Sequence, residues 1–131
     1  MASRRRFFKG RLEVAVVVGP ANVQRMISAR RIRRYVQRIV DEFSPSRVIL
    51  FGSHAAGSPH RDSDVDLLVV MPHSGPAADQ AARIRQRIPA GFPLDLVVRS
   101  PATVRRRLLM DDSFLMAVME TGKVLHEARR A

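Results

Sequence analysis

Three aspartates stand in apolar surroundings. Asp64 and Asp66 flank Val65 at the head of the run Val-Asp-Leu-Leu-Val-Val, and Asp95 interrupts Pro-Leu-Asp-Leu-Val-Val. Alternate residues of a strand point to the same face, so Asp64 and Asp66 project together if the first run is a strand. Two carboxylates held that close repel each other unless a cation sits between them. Oxygen ligands of this kind suit Mg²⁺, which takes one or two carboxylates, substrate phosphates and waters. An aspartate in the middle of an apolar strand is costly unless it is paired or metal-bound. If the strand 94–99 neighbours the strand 65–70, Asp95 completes a three-carboxylate cluster. Each segment alone has a plainer reading: Asp62 and Asp64 as turn or strand-entry residues, Asp66 and Asp95 as partners of the plentiful arginines. The occurrence of both segments behind a glycine-serine turn favours the metal site.

That turn is Gly52-Ser53, which ends the apolar run Val-Ile-Leu-Phe. Glycine lets the chain bend sharply and lets a phosphate approach the backbone. Serine offers a hydroxyl, and a helix opening there would present N–H groups and the positive end of its dipole to an anion. A Gly-Ser pair by itself is more often an ordinary turn.

The elements that must position these residues are legible from residue 28 onward. Ile32, Tyr35, Val36, Ile39, Val40 and Phe43 recur at three- and four-residue spacing and predict a helix with one apolar stripe. Ser28 is its candidate N-cap and Ser44-Pro45 its stop. Strands are predicted over 47–51, 65–70 and 94–99, with a loop or short helix over 54–63. Helices are predicted over 77–88, 103–110 and 113–121, the last ended by Gly122 as C-cap. Val124-Leu125 could add an edge strand. The order predicts an α/β (α+β) domain, a small mixed sheet flanked by helices. The domain is read as 27–131, preceded by a basic N-terminal extension over 1–26. That extension reads as a flexible basic arm, as a short strand ended by Gly19-Pro20, or as chain outside the folded domain.

The chain has 131 residues, enough for one domain, and no cysteine, which excludes disulfides and thiolate metal sites and fits a reducing cytoplasm. No apolar run approaches the roughly 20 residues that span a bilayer, and no signal peptide is expected. The formal net charge is +11, and only Lys9 and Lys123 among the basic residues are lysine. Such a surface attracts nucleotides, nucleic acid or an acidic partner. An arginine-rich solvated surface accounts for the charge equally well. The four histidines, His54, His60, His73 and His126, show no metal-ligand spacing. His54, His60 and Arg61 could border a nucleotide, although loop residues of these types are usually solvated. Met110, Phe114, Leu115, Val118 and Met119 form an apolar stripe of the kind that is most often core. Arg105, Arg106 and Arg107 read as a solvated helix face.

In full, the central segment is GSHAAGSPHRDSDVDLLVV: Gly52-Ser53, ten residues, then Asp64-Val65-Asp66. This spacing, followed by a strand aspartate at Asp95, closely resembles the signature of the DNA polymerase beta nucleotidyltransferase superfamily. The compact size is similar to its minimal nucleotidyltransferase branch. The resemblance covers about residues 28–125. It implies a nucleotidyltransferase fold, metal ligation and catalysis by Asp64, Asp66 and Asp95, and triphosphate contacts at Gly52 and Ser53. Many relatives carry an arginine where this chain has Ala56, which puts one phosphate contact in doubt but leaves the carboxylates intact.

The resemblance further implies two-metal chemistry, with two Mg²⁺ ions and ATP as substrate, moving AMP to an acceptor hydroxyl. Asp95 would stand nearest that hydroxyl. Small members of this branch resemble antitoxins partnered with HEPN-type ribonuclease toxins, which they silence by adding AMP to a tyrosine. Two other functions remain open from the residues: transfer to a small molecule such as an aminoglycoside, and a non-catalytic module that binds nucleotide or nucleic acid through the basic face. Relatives acting on small molecules usually carry an extra helical domain, and a non-catalytic module would be expected to lack an aspartate.

Overall fold

The computed structural model describes residues 27–60 and 62–129. The basic extension over 1–26 and Arg61 lie outside the described residues. Ile27, Ser28, His60 and Asp62 group with a separate unit. All the elements below belong to the larger one.

The apolar stripe at helical spacing folds as α1 (Ala29–Phe43), burying Ile32, Tyr35, Val36 and Ile39. Val40 and Phe43 are half-buried. The helix ends at Ser44-Pro45 as expected, with Ser44 taking φ 49°. The chain continues through β1 (Arg47–Phe51), a single helical turn α2 (Ser53–Ala56), β2 (Val65–Val70), α3 (Ala77–Arg87), β3 (Leu94–Arg99), α4 (Pro101–Leu109), α5 (Ser113–Thr121) and β4 (Lys123–Glu127). Three strands fall where their apolar runs predict. Helix α4 starts at Pro101, two residues earlier than expected. Ser100 caps it by accepting a hydrogen bond from the Thr103 N–H, and Pro101 occupies the first helical position, where it needs no N–H partner.

The four strands form one mixed sheet in the order β3-β2-β1-β4. β1 is antiparallel to β2 and β4, whereas β2 and β3 run parallel. Strand alternation sends Ile49, Leu68 and Val70 to one face, where they pack with Val104 of α4 and with Leu115 and Val118 of α5. The opposite-facing Val48, Leu67, Val69 and Val98 are also fully buried, on the side of α1 and α3. Tyr35 of α1 donates a 2.8 Å hydrogen bond to the Ile88 carbonyl just after α3 and joins the two helices. Strand 65–70 is buried on both faces apart from half-buried Asp66, as parallel strands usually are, whereas the edge strand 94–99 buries only Leu96 and Val98 and exposes Asp95.

Gly122 is the C-cap of α5 as expected, in extended backbone at φ −76° and ψ 168°. The chain there enters β4 directly. A Cβ at this position would lie 2.5 Å from the Val118 carbonyl and 2.8 Å from Ile49 Cγ2, so glycine serves close approach, not a left-handed cap. Met110 does not join the apolar stripe of α5. It lies in the turn after α4, 73% exposed, because Asp111 at φ 56° breaks the helical phase between the two helices. Among the described residues no helix is long and apolar enough to cross a membrane.

Candidate active site

Asp66 is the second residue of β2 and has Phe51 and Asp95 as its Cα partners on the two flanking strands. Residues paired in register on neighbouring strands project from the same face of a sheet. Asp66 and Asp95 therefore stand side by side. Asp64 lies one residue before β2, and at two residues' distance keeps the phase of Asp66. Asp66 is half-buried, while Asp64 and Asp95 are exposed. The three acids gather where β1 ends and β2 and β3 begin, on the face that α4 and α5 cover farther along.

The electrostatics follow from this placement. Burial pushes the Asp66 carboxyl above the ordinary carboxylate value, Asp95 and then Asp64 push it further, and His54 pulls it back. Among the described residues, none of the three acids forms an ion pair with lysine or arginine. The plainer reading, in which arginines neutralise them, is not the arrangement of the described arginines. Also among the described residues, no three His, Asp or Glu side chains close onto a common point, as uncompensated like charges should not. The donors are hard oxygens carrying unneutralised negative charge, and that set fits magnesium.

The turn at Gly52 is built against this cluster. Gly52 has φ 77°, and a Cβ there would overlap Asp66 Oδ2 and come within 3.1 Å of its Cγ. Only glycine allows the backbone to pass so close to the carboxylate. The Ala55 and Ala56 N–H groups each donate to the Gly52 carbonyl at 3.1 Å, closing the single turn of α2, and Gly57 ends it in left-handed backbone. Ser53, half-buried, opens that turn beside the carboxylates. Ala56, at the position of the arginine common in similar sequences, is exposed and offers no polar group.

His54 corrects an expectation. It is half-buried, and its Nδ1 lies 3.0 Å from the Asp64 carbonyl oxygen, tying α2 to the start of β2. It also acts on Asp66 against the two flanking acids. The contact crosses a ten-residue loop, so no local sequence signal announces it. Phe51, beside Asp66 on β1, packs edge-to-face on Phe114 of α5 with ring centroids 5.4 Å apart. Phe114 was expected in the core, yet it is 39% exposed. Arg105, Arg106 and Arg107 are exposed, as expected.

A glycine turn followed by paired carboxylates on a mixed sheet defines a nucleotidyltransferase domain. The family profile for that domain matches residues 29–126, and the chain belongs to this family. Among solved structures it is similar to a protein from Sulfolobus solfataricus assigned to the nucleotidyltransferases, with 24% identity over 59% of this chain and 70% of that one and a TM-score of 0.48. It is also similar to a toxin–antitoxin complex with AMP-PNP, at 21% identity over 74% of each chain and a TM-score of 0.49. A mutant of the toxin–antitoxin pair MntA-HpeT matches at 17% identity over 74% of each chain, with a TM-score of 0.47. A search of the curated proteins finds no match.

Proposed function

We propose that this nucleotidyltransferase moves AMP from ATP to a hydroxyl on a partner protein, acting as the antitoxin of a HEPN-type toxin in the cytoplasm. The observation that carries the reading is the side-by-side placement of Asp66 and Asp95, which pair with no arginine among the described residues and are faced by the Gly52-Ser53 turn. Asp64, Asp66 and Asp95 would hold the metal. Two magnesium ions, when bound there, would neutralise charge developing on the triphosphate and lower the pKa of the acceptor hydroxyl.

The residues themselves supply positioning. The Gly52 backbone, free of a side chain, lets the triphosphate lie against the carboxylates, and the Ser53 hydroxyl donates to a phosphate oxygen. Asp95, exposed at the start of β3, stands on the open side, where an acceptor hydroxyl can approach and give up its proton. His54 fixes the Asp64 backbone through its 3.0 Å contact. Most of the rate would come from alignment and charge complementarity rather than from covalent chemistry. The described domain has no second lobe to enclose a small substrate, which favours a protein acceptor. The partner and the transferred group rest on the resemblance of GSHAAGSPHRDSDVDLLVV to the minimal branch.

The test is transfer of label from α-labelled ATP, with Mg²⁺, to the protein encoded beside this gene. Label on a tyrosine of that protein supports the proposal. Label found only on a small molecule would overturn the choice of acceptor.

A further inference from the structure

On the other side of the sheet from the carboxylates, α1 and the loop 88–93 enclose an open groove of about 430 Å³. Arg31, Arg34 and Arg38 line it at three- and four-residue spacing, so they rise from one face of the helix. Tyr35 and Phe92 form an aromatic floor, packed edge-to-face at 5.6 Å. The Arg31 guanidinium lies 5.2 Å from the Phe92 ring centroid and donates to the Gly91 carbonyl at 2.7 Å, which holds the loop against the helix. The charge along the groove is unbalanced. Arg38 is 3.8 Å from Glu42, a carboxylate already engaged at 2.8 Å by Arg87. Arg34 pairs with no carboxylate among the described residues.

We infer that this groove binds single-stranded nucleic acid, with phosphates on Arg34 and Arg38 and an unpaired base against Phe92. Three features select that ligand. Guanidinium groups on one helix face suit a repeating phosphate backbone, since each can grip an oxygen pair. The Arg31 guanidinium laid over half-buried Phe92 offers an unpaired base a stacking platform that a duplex cannot reach. The volume admits a nucleotide unit but is open along the helix, as a strand requires. The site is independent of the carboxylates, so its failure would leave the transfer chemistry untouched.

Fluorescence anisotropy with labelled RNA and DNA 12-mers of one sequence tests it, with the matching duplex and poly-glutamate as competitors. Arg34→Gln/Arg38→Gln should weaken binding at least tenfold and remove about 1.4 from the slope of log affinity against log salt, about 0.7 for each lost phosphate contact. Phe92→Leu should weaken it by about fivefold or more. Arg105→Gln/Arg106→Gln, which removes as much charge from the exposed face of α4, should change it less than twofold. The RNA and DNA arms tell which sugar the groove prefers, and binding of either supports the site. No binding of either strand, equal loss in the α4 control, or competition by duplex or poly-glutamate as effective as by the unlabelled strand would overturn it. Arg34 and Arg38 are exposed, so their variants should keep the wild-type melting temperature.

Discussion

Asp66 and Asp95 are Cα partners on two parallel strands, and the Asp95 carboxylate bears directly on that of Asp66. Burial and the two flanking acids raise the Asp66 carboxyl above its ordinary value. The sign of the consequence is fixed by linkage. Below the ordinary carboxylate pKa the group is protonated both folded and unfolded and costs nothing. As pH climbs toward the raised value the unfolded chain ionises first, so stability falls, and above it the loss is complete. Asp66→Asn should therefore raise the melting temperature at pH 7 in EDTA by about 1–3 °C, with no gain near pH 3. Thermal denaturation at the two pH values checks this. A lower melting temperature for the variant at pH 7 would refute it.

Gly52→Ala should be costly twice. The added methyl meets Asp66 Oδ2, and alanine is strained at φ 77°. A loss of about 1–3 kcal/mol is expected in urea unfolding. Ser53→Ala, which leaves the backbone free, should keep stability within about 0.5 kcal/mol while weakening nucleotide binding. Equal stability of Gly52→Ala and wild type would show that the turn relaxes away from the carboxylate.

Leu68→Ala removes a fully buried side chain from the cluster that seats α4 and α5 on the sheet. It should cost about 2–5 kcal/mol. Ser100→Ala removes the cap on Thr103 N–H and the hydrogen bond from Ser100 Oγ to Thr103 Oγ1, and should cost about 1 kcal/mol. Urea midpoints of the two variants test the ranking, and a larger loss for Ser100→Ala would contradict it.

Much of this arrangement is written locally. The runs ending at Phe51 and beginning at Val65 and Leu94 are apolar, short and bounded by breakers, so strands β1, β2 and β3 emerge from the sequence with their observed limits. The two-residue spacing of Asp64 and Asp66 fixes their shared face. The adjacency of Asp95 is different, because it depends on β2 and β3 pairing in parallel register, which no local pattern specifies; the sequence offers it only as a condition. The His54–Asp64 contact and the exposure of Phe114 are likewise properties of packing across the chain. The early start of α4 had a local signal in Ser100-Pro101, a cap followed by proline at the first helical position. Met110 shows the opposite failure, where a stripe drawn at helical spacing runs through a turn that resets the phase.

Asp66→Ala should reduce label transfer at least a hundredfold, because the several kcal/mol of charge stabilisation attributed to the metal site would be lost. Circular dichroism should show the fold retained. Undiminished transfer by the variant would remove Asp66 from the chemistry.

The most direct measurement is calorimetric titration of the protein with a non-hydrolysable ATP analogue, in Mg²⁺ and in EDTA. Carboxylates that hold a divalent cation for the triphosphate predict binding at least tenfold tighter with Mg²⁺, and loss of that difference in Asp66→Ala. Equal affinity in the two buffers would contradict the site as described.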